Sequence, residues 1–289
     1  MSQADLHALR REIATIEGRS PVLAESDGFR TDDGPSLGFS GEADGRRVTL
    51  GVAALDGKLG GGLPLGALHE FRCEETRGTG ALTGFAAGIL ARIVAARRRP
   101  VLWIEEEMAL SEAGLPFGPG FARFGLDPAK IIVVRTRRPE EALWAFEEGL
   151  RCTGLAAVLA VIRGAPRALD LTASRRLALR AASVGVTGLL LRQAGVAEAG
   201  AAATRWRVSA LPAGTMDGFV EGVGRPAFRA ALEKSRLGPI GTFDLEWHHD
   251  RGSFAPAAAA DPVALPSVPV DRPADAPPVR EVVAFRKAG

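Results

Sequence analysis

Between Leu82 and Val94 the apolar residues Leu82, Phe85, Ala86, Ile89, Leu90, Ile93 and Val94 recur at steps of three and four. This spacing predicts a helix that starts near Thr79 and ends in Arg97-Arg98-Arg99-Pro100. Arginines in a last turn complement the negative end of the helix dipole. Short, continuously apolar runs at Val101–Ile104, Ile131–Val134, Ala156–Ile162 and Val186–Arg192 predict strands, with another at Ala67–Arg72 ahead of the Thr79 helix. Helices are predicted at Pro139–Arg151, where Pro139 suits a first helical position, and at Asp170–Ala182. Strands of this kind alternating with helices predict an α/β fold with a mostly parallel central sheet covered on both faces.

The pattern changes after Gln193. Arg205–Leu211, Phe228–Arg236 and Thr242–His248 alternate apolar and polar residues, as half-buried antiparallel strands do, and Gly238-Pro239-Ile240-Gly241 supplies a turn between the last two. Gly195–Ala203 reads as a short flexible loop. At the other end, Leu6, Leu9, Ile13 and Ile16 predict an amphipathic helix over residues 5–17, followed by a Gly-, Ser- and Asp-rich linker to residue 45. Beyond Phe254 the Ala- and Pro-rich sequence has too few large apolar residues for a core and reads as a disordered tail. The last ten residues, REVVAFRKAG, set Val282, Val283 and Phe285 among positive charges, as a short docking segment would. The expected organisation is a helical lead and linker (1–45), one α/β domain (46–254) and a tail (255–289).

Composition narrows the classes. A chain of 289 residues, 46% hydrophobic, can bury a substantial core. Cys73 and Cys152 make no CxxC spacing, and His7, His69, His248 and His249 are scattered, so no metal site is expected. No run reads as long and apolar enough to span a bilayer, and MSQADLHALRREI lacks a signal-peptide core, so a cytoplasmic location without membrane contact is expected. Net charge is only +2, yet arginine supplies 32 of the 36 basic residues. Arg135, Arg137 and Arg138, with Arg163, Arg167, Arg175 and Arg176, follow or flank strand ends where α/β sheets bind ligands. They are the candidate contacts to single-stranded DNA, through phosphates and without sequence preference.

The stretch from Leu55 to Leu82 has the strand, loop and helix order of a phosphate-binding loop without its chemistry. Such a loop needs glycines to expose backbone N–H groups, a lysine for the terminal phosphates and a hydroxyl for magnesium. Counted without gaps, Cys73 and Gly78 take the glycine positions, Thr79 the lysine position and Gly80 the hydroxyl position, while Glu74 and Glu75 add negative charge. No nucleotide or other cofactor is expected.

LDGKLGGGLPLG (Leu55–Gly66), LHEF (Leu68–Phe71), LWIEEEMAL (Leu102–Leu110), VTGLLLRQ (Val186–Gln193) and TRWRVS (Thr204–Ser209) stand in the order of a RecA-family ATPase core. FRAALEKSRLG and GTFDLEWHHDRGSF complete the series over roughly residues 45–254. Within that superfamily the chain resembles the ImuA family of bacterial mutagenesis operons. The resemblance implies a RecA-like core with an antiparallel C-terminal extension. It places Glu107 at the position of the glutamate that polarises water in active relatives, and finds no magnesium-supporting carboxylate after Ile162, where Arg163-Gly164 follow. The implied role is non-catalytic: linking an inactive Y-family-like polymerase of the ImuB type to an error-prone C-family polymerase in damage-induced translesion synthesis, with RecA as a further candidate partner. A divergent DNA-dependent ATPase or recombinase, and a SulA-like inhibitor of cell division, are the alternatives.

Overall fold

The computed structural model describes residues 46–114, 117–213 and 224–257; the leading helix expected at 5–17, its linker and the REVVAFRKAG segment lie outside them. In chain order the elements are β1 (Arg47–Val48), α1 (Ala53–Lys58), β2 (Leu63–Pro64), β3 (Leu68–Arg72), α2 (Thr79–Arg97), β4 (Val101–Glu106), α3 (Glu107–Ala113), α4 (Gly118–Arg123), β5 (Ile131–Thr136), α5 (Pro139–Arg151), β6 (Ala157–Arg163), α6 (Leu171–Val184) and β7 (Thr187–Gln193). β8 (Thr204–Leu211), β9 (Ala227–Ser235), β10 (Gly241–His248) and β11 (Ser253–Pro256) follow.

Among the described residues nine strands form one sheet in the order β11-β10-β9-β8-β3-β7-β6-β4-β5. From β8 to β5 neighbours run parallel, and β8 to β11 pair antiparallel. β8 is the seam. Its alternation predicts an antiparallel strand, but it runs parallel to β3 on one side and antiparallel to β9 on the other. The two halves are covered differently. α2 packs on one face with Phe71, Phe85, Trp206, Trp247 and Phe254 in its core, and α5 and α6 close the other face over Leu68, Ile104, Phe146 and Leu177.

The α2 apolar stripe is buried as its spacing predicts, with Val94 only half-buried, but Ala87, Gly88 and Ala91 are buried as well. Gly88 is needed there, since a Cβ would stand 2.5 Å from the Phe254 ring. The 22-residue span Thr76–Arg97 does have the length and apolarity to cross a membrane, contrary to the sequence reading, and it is used here as the core helix against the sheet. α6 starts at Leu171 because Asp170 caps it, accepting the Ala173 N–H at 2.7 Å. It stops at Gly185, whose φ of +81° suits glycine.

The glycine phrase at Gly60–Gly62 turns the chain from α1 into β2 at positive φ, with Arg47 donating to the Leu59 and Gly62 carbonyls, a glycine-rich turn as the sequence order predicts. Two expectations change. Gly195–Ala203 is pinned rather than loose: Gly195 N–H donates to Cys73 O, Ala201 N–H to Ser174 Oγ and Ala203 N–H to Leu68 O. β11 carries Ala255 and Pro256, residues that composition assigns to the tail, and Pro256 is tolerated because β11 is an edge strand.

Candidate functional site

Parallel strands end on one edge of the sheet, and there α2, β4, α3 and α4 line a half-open cavity of about 270 Å³. Thr79 and Gly80 bring the start of α2 to it, and no side chain caps that helix. Trp103, Phe121 and Phe124 give it an aromatic wall, with the Trp103 and Phe121 rings 4.9 Å apart. Among the described residues lining it, none is basic. A phosphate in this cavity would meet the helix dipole and no cationic side chain among the described lining residues.

Its polar groups are Glu105 from β4 and Gln193 from the end of β7. Strand alternation puts Glu105 on the same face as Trp103, so a glutamate at 4% exposure sits in the core layer. One carboxyl oxygen accepts the Trp103 indole N–H at 2.8 Å; Oε2 is buried without a hydrogen-bond partner, and so is Gln193 Oε1. Burial pushes the Glu105 carboxyl above the usual carboxylate range, against the Trp103 hydrogen bond and the positive charge of Arg135. The sequence predicts a strand ending at Ile104, with Glu105 and Glu106 in a solvated turn. The strand runs two residues further. Both glutamates are buried, and Glu106 accepts the Arg163 N–H at 2.8 Å.

The loop from Cys73 to Gly78 takes up the space in front of α2. Cys73 is buried, its N–H donating to Arg192 O, and Gly78 lies so close that a Cβ there would meet Cys73 Cβ at 3.0 Å. Glu74 turns to Arg72 and Arg207 at 3.9 and 3.7 Å, and Glu75 pairs with Arg77. Their charges are therefore directed at arginines and not into the cavity. Thr79 is buried and Gly80 exposed; Glu107 is an exposed residue in the first turn of α3. Glu112 fastens the rim, accepting from Thr76 Oγ1 at 2.9 Å and Arg163 Nε at 2.7 Å, which holds its carboxyl below the usual range.

The arginine candidates lie around this same edge. Arg135, Arg137 and Arg138 are exposed at and after the end of β5, Arg163 and Arg167 at and after the end of β6, and Arg175 and Arg176 on α6. Three are engaged: Arg138 with Glu141 at 2.9 Å, Arg163 with Glu112 at 2.7 Å and Arg176 with Glu147 at 2.7 Å. The edge is less positive than the arginine count suggests. Glu105, Gln193 and the aromatic wall escape the sequence reading as a group. The available signal is the alternation in LWIEEE, which carries Glu105 inward with Trp103.

A second set of charges, four of them buried and two half-buried, lies on the opposite face. Glu70 of β3 accepts from Arg192 of β7 at 3.1 Å and from Arg205 of β8 at 2.9 Å. Arg72 and Arg207 both reach Glu233 of β9. These pairs stitch the seam strand to its neighbours on both sides.

Comparison with known proteins bears on this arrangement. No family model matches the chain. The crystal structure of the RadB recombinase overlaps 70% of this chain and 96% of its own at 15% identity, with a TM-score of 0.46. That overlap is too loose to bear on the fold, which rests on the sheet order itself. Protein ImuA of Caulobacter vibrioides, strain NA1000 / CB15N, is 31% identical over 213 residues, 69% of this chain and 82% of that protein. Protein ImuA of strain ATCC 19089 matches with the same figures. A match of that extent spans much more than one motif and covers most of the relative's length: the chain belongs to the ImuA family.

Proposed function

We propose that this protein is a non-catalytic accessory factor in damage-induced mutagenesis, in which the nucleotide position of an ATPase-like fold has been given over to packing and to protein contacts. Membership of the ImuA family supports the pathway. The observation that carries the non-catalytic reading is the cavity beside Thr79 and Gly80, which has an uncapped helix start, an aromatic wall and a buried carboxyl, and no basic side chain among its described residues. Phosphoryl transfer works by electrostatic stabilisation of phosphate charge. Thr79 and Gly80 bring no charge, Glu106 is spent on the Arg163 backbone, and Glu107 stands on the surface.

In this reading the protein bridges a Y-family-like protein of the ImuB type and an error-prone C-family polymerase, with RecA and single-stranded DNA as further contacts. Arg137, Arg167 and Arg175, exposed and outside the ion pairs described above, are the best-placed phosphate donors. The test has two parts. Calorimetric titration with ATP and magnesium is expected to give a flat trace, and saturating heat at micromolar nucleotide would return the protein to the ATPases. A tagged chain recovered from damaged cells is expected to retain both polymerase types, and a deletion strain to lose damage-induced mutation. Normal mutation frequency in that strain would remove the proposed role.

A further inference from the structure

Glu105 and Gln193 line an apolar cavity, and an unpaired oxygen buried on each is a demand for hydrogen-bond donors. Glu105 and Gln193 are 4% and 2% exposed, and each carries one buried side-chain oxygen with no partner among the described residues. Leaving such groups unsatisfied costs about 1–3 kcal/mol each. The chemistry excludes several occupants. With no basic side chain among the described lining residues, phosphate is disfavoured. With no group of three ligating side chains among the described residues, so is a metal ion. The fitting occupant is a cation on an apolar stem, with several donors at its tip, which describes arginine.

We propose that the cavity is the docking site for the chain's own C-terminal segment Arg280–Gly289, with Arg286 inserted toward Glu105 and Gln193 and Phe285 resting on the rim. Three observations favour this occupant. The segment carries Arg280, Arg286 and Lys287 against one acid, Glu281, while the cavity has a carboxyl in its wall and exposed Glu107 on the adjoining helix. Ala284 and Ala288, two residues to either side of Arg286, are small enough for the backbone to approach the mouth. Phe117 on the lining and Met108 on α3 are 71% and 54% exposed, an apolar rim of the kind a phenylalanine covers.

The chain also leaves from a suitable place. Phe254 of β11 contacts Trp247 at 5.0 Å between ring centroids, and Trp247 contacts Phe124, part of the cavity wall, at 5.5 Å. Phe254 packs in the α2 core, and the described chain ends three residues later at Ala257, whose N–H donates to Asp244 O of β10. The 22 residues from 258 to 279 span roughly 25 Å as a flexible coil and about 70 Å at full extension, so the segment reaches the mouth without strain. A volume of about 270 Å³ corresponds to roughly nine waters at ~30 Å³ each, room for an arginine side chain. The inference stands apart from the mutagenesis role and does not require it.

Hydrogen exchange of the full chain tests it, comparing the native sequence with Arg286→Glu and Phe285→Asp. Amides of Thr79–Gly84 and of α3 and α4 are expected to exchange at least tenfold faster in either variant, with α5 and α6 unchanged. Identical exchange in all three proteins would overturn the proposal. Protection that rises with protein concentration would overturn it in another way, because the segment would then come from a second copy. As a second arm, the peptide REVVAFRKAG is titrated into the Arg286→Glu chain. It is expected to bind and to lose at least tenfold in affinity when Glu105→Gln is added; equal affinity for both would place the peptide elsewhere.

Discussion

Glu70 and Glu105 are buried to the same degree, each 4% exposed, and stand on strands of one sheet, yet they have opposite surroundings. Glu70 is held by Arg192 and Arg205 from the strands on either side. Glu105 has one neutral donor, the Trp103 indole, and an oxygen left unpaired beside a cavity. Burying a carboxylate is costly unless it is paired and hydrogen-bonded. Glu70 meets that condition and acts as structure, tying β3 to both neighbours. Glu105 does not, and its raised proton affinity is the consequence. Depth of burial does not distinguish a structural acid from a site acid; the number of donors does.

Removing the partner charge should separate them most sharply. Glu70→Ala leaves Arg192 and Arg205 facing each other in the buried layer, and an expected loss of about 3 kcal/mol follows from breaking a buried pair on one side only. Arg192 keeps Glu198 and the Gly164 carbonyl, which holds the loss to the lower part of the usual range. Urea unfolding at pH 7 measures it. Replacing the whole set, with Glu70→Leu, Arg192→Met and Arg205→Met together, is expected to fall much closer to the native stability. A triple variant as unstable as Glu70→Ala would mean that the network does more than neutralise itself.

His69 shows the third way of burying an ionisable group, which is to keep it neutral. Its Nε2–H donates to Pro64 O at 2.9 Å, and its Nδ1 accepts from Thr204 Oγ1 at 2.7 Å, while Thr204 Oγ1 accepts the Trp206 indole N–H at 2.8 Å. Each atom in that chain has one role only if the ring is neutral, and burial lowers the His69 pKa from 6.5 to about 4. The unfolded chain therefore binds a proton that the folded chain refuses between those values. Stability is fully present above pH 6.5 and is lost as pH falls toward 4, by about 3 kcal/mol in all at ~1.36 kcal/mol per pH unit. Unfolding midpoints at pH 7.5 and 4.5 are expected to differ less in His69→Gln by an amount on that order. An equal pH dependence in the two proteins would show that His69 is not the group responsible.

The contrast between these acids explains how far the sequence could be read. The parallel half was legible because its strands are short, apolar on both faces and separated by amphipathic helices such as α5, whose limits fall at Pro139 and Arg151 as predicted. The lack of a lysine ahead of α2 was legible directly, at Thr79. Pairing was not legible. Nothing local in LHEFR says that Glu70 will meet Arg192 and Arg205, which are 122 and 135 residues away. The direction of β8 was hidden for the same reason, since an alternating strand has the same pattern whether its neighbour runs parallel or antiparallel. Glu105 was half-legible: alternation with Trp103 marks it as inward, but three successive glutamates read as a solvated turn. Only the cavity shows which of the three is the odd one.

The gentlest change sharpens the comparison further. Glu105→Gln keeps an oxygen for the Trp103 indole and removes a group that ionises at neutral pH only against its burial. Because the folded-state pKa is raised, the carboxyl contributes its full stability below the unfolded value and loses it as pH rises through the folded value. In a chain carrying Arg286→Glu, where nothing docks, Glu105→Gln is therefore expected to stabilise the protein at pH 7, by roughly 1 kcal/mol. The gain is expected to vanish near pH 4, where both side chains are neutral. Glu70→Gln should do the reverse at pH 7, since it takes the charge from two arginines that need it. Paired urea titrations of the variants at pH 7 and pH 4 read the difference directly. With native Arg286 in place, the proposed docking gives Glu105 a positive partner, and the same Glu105→Gln change is expected to bring no gain at pH 7; an equal gain in both backgrounds would mean that Arg286 never reaches Glu105.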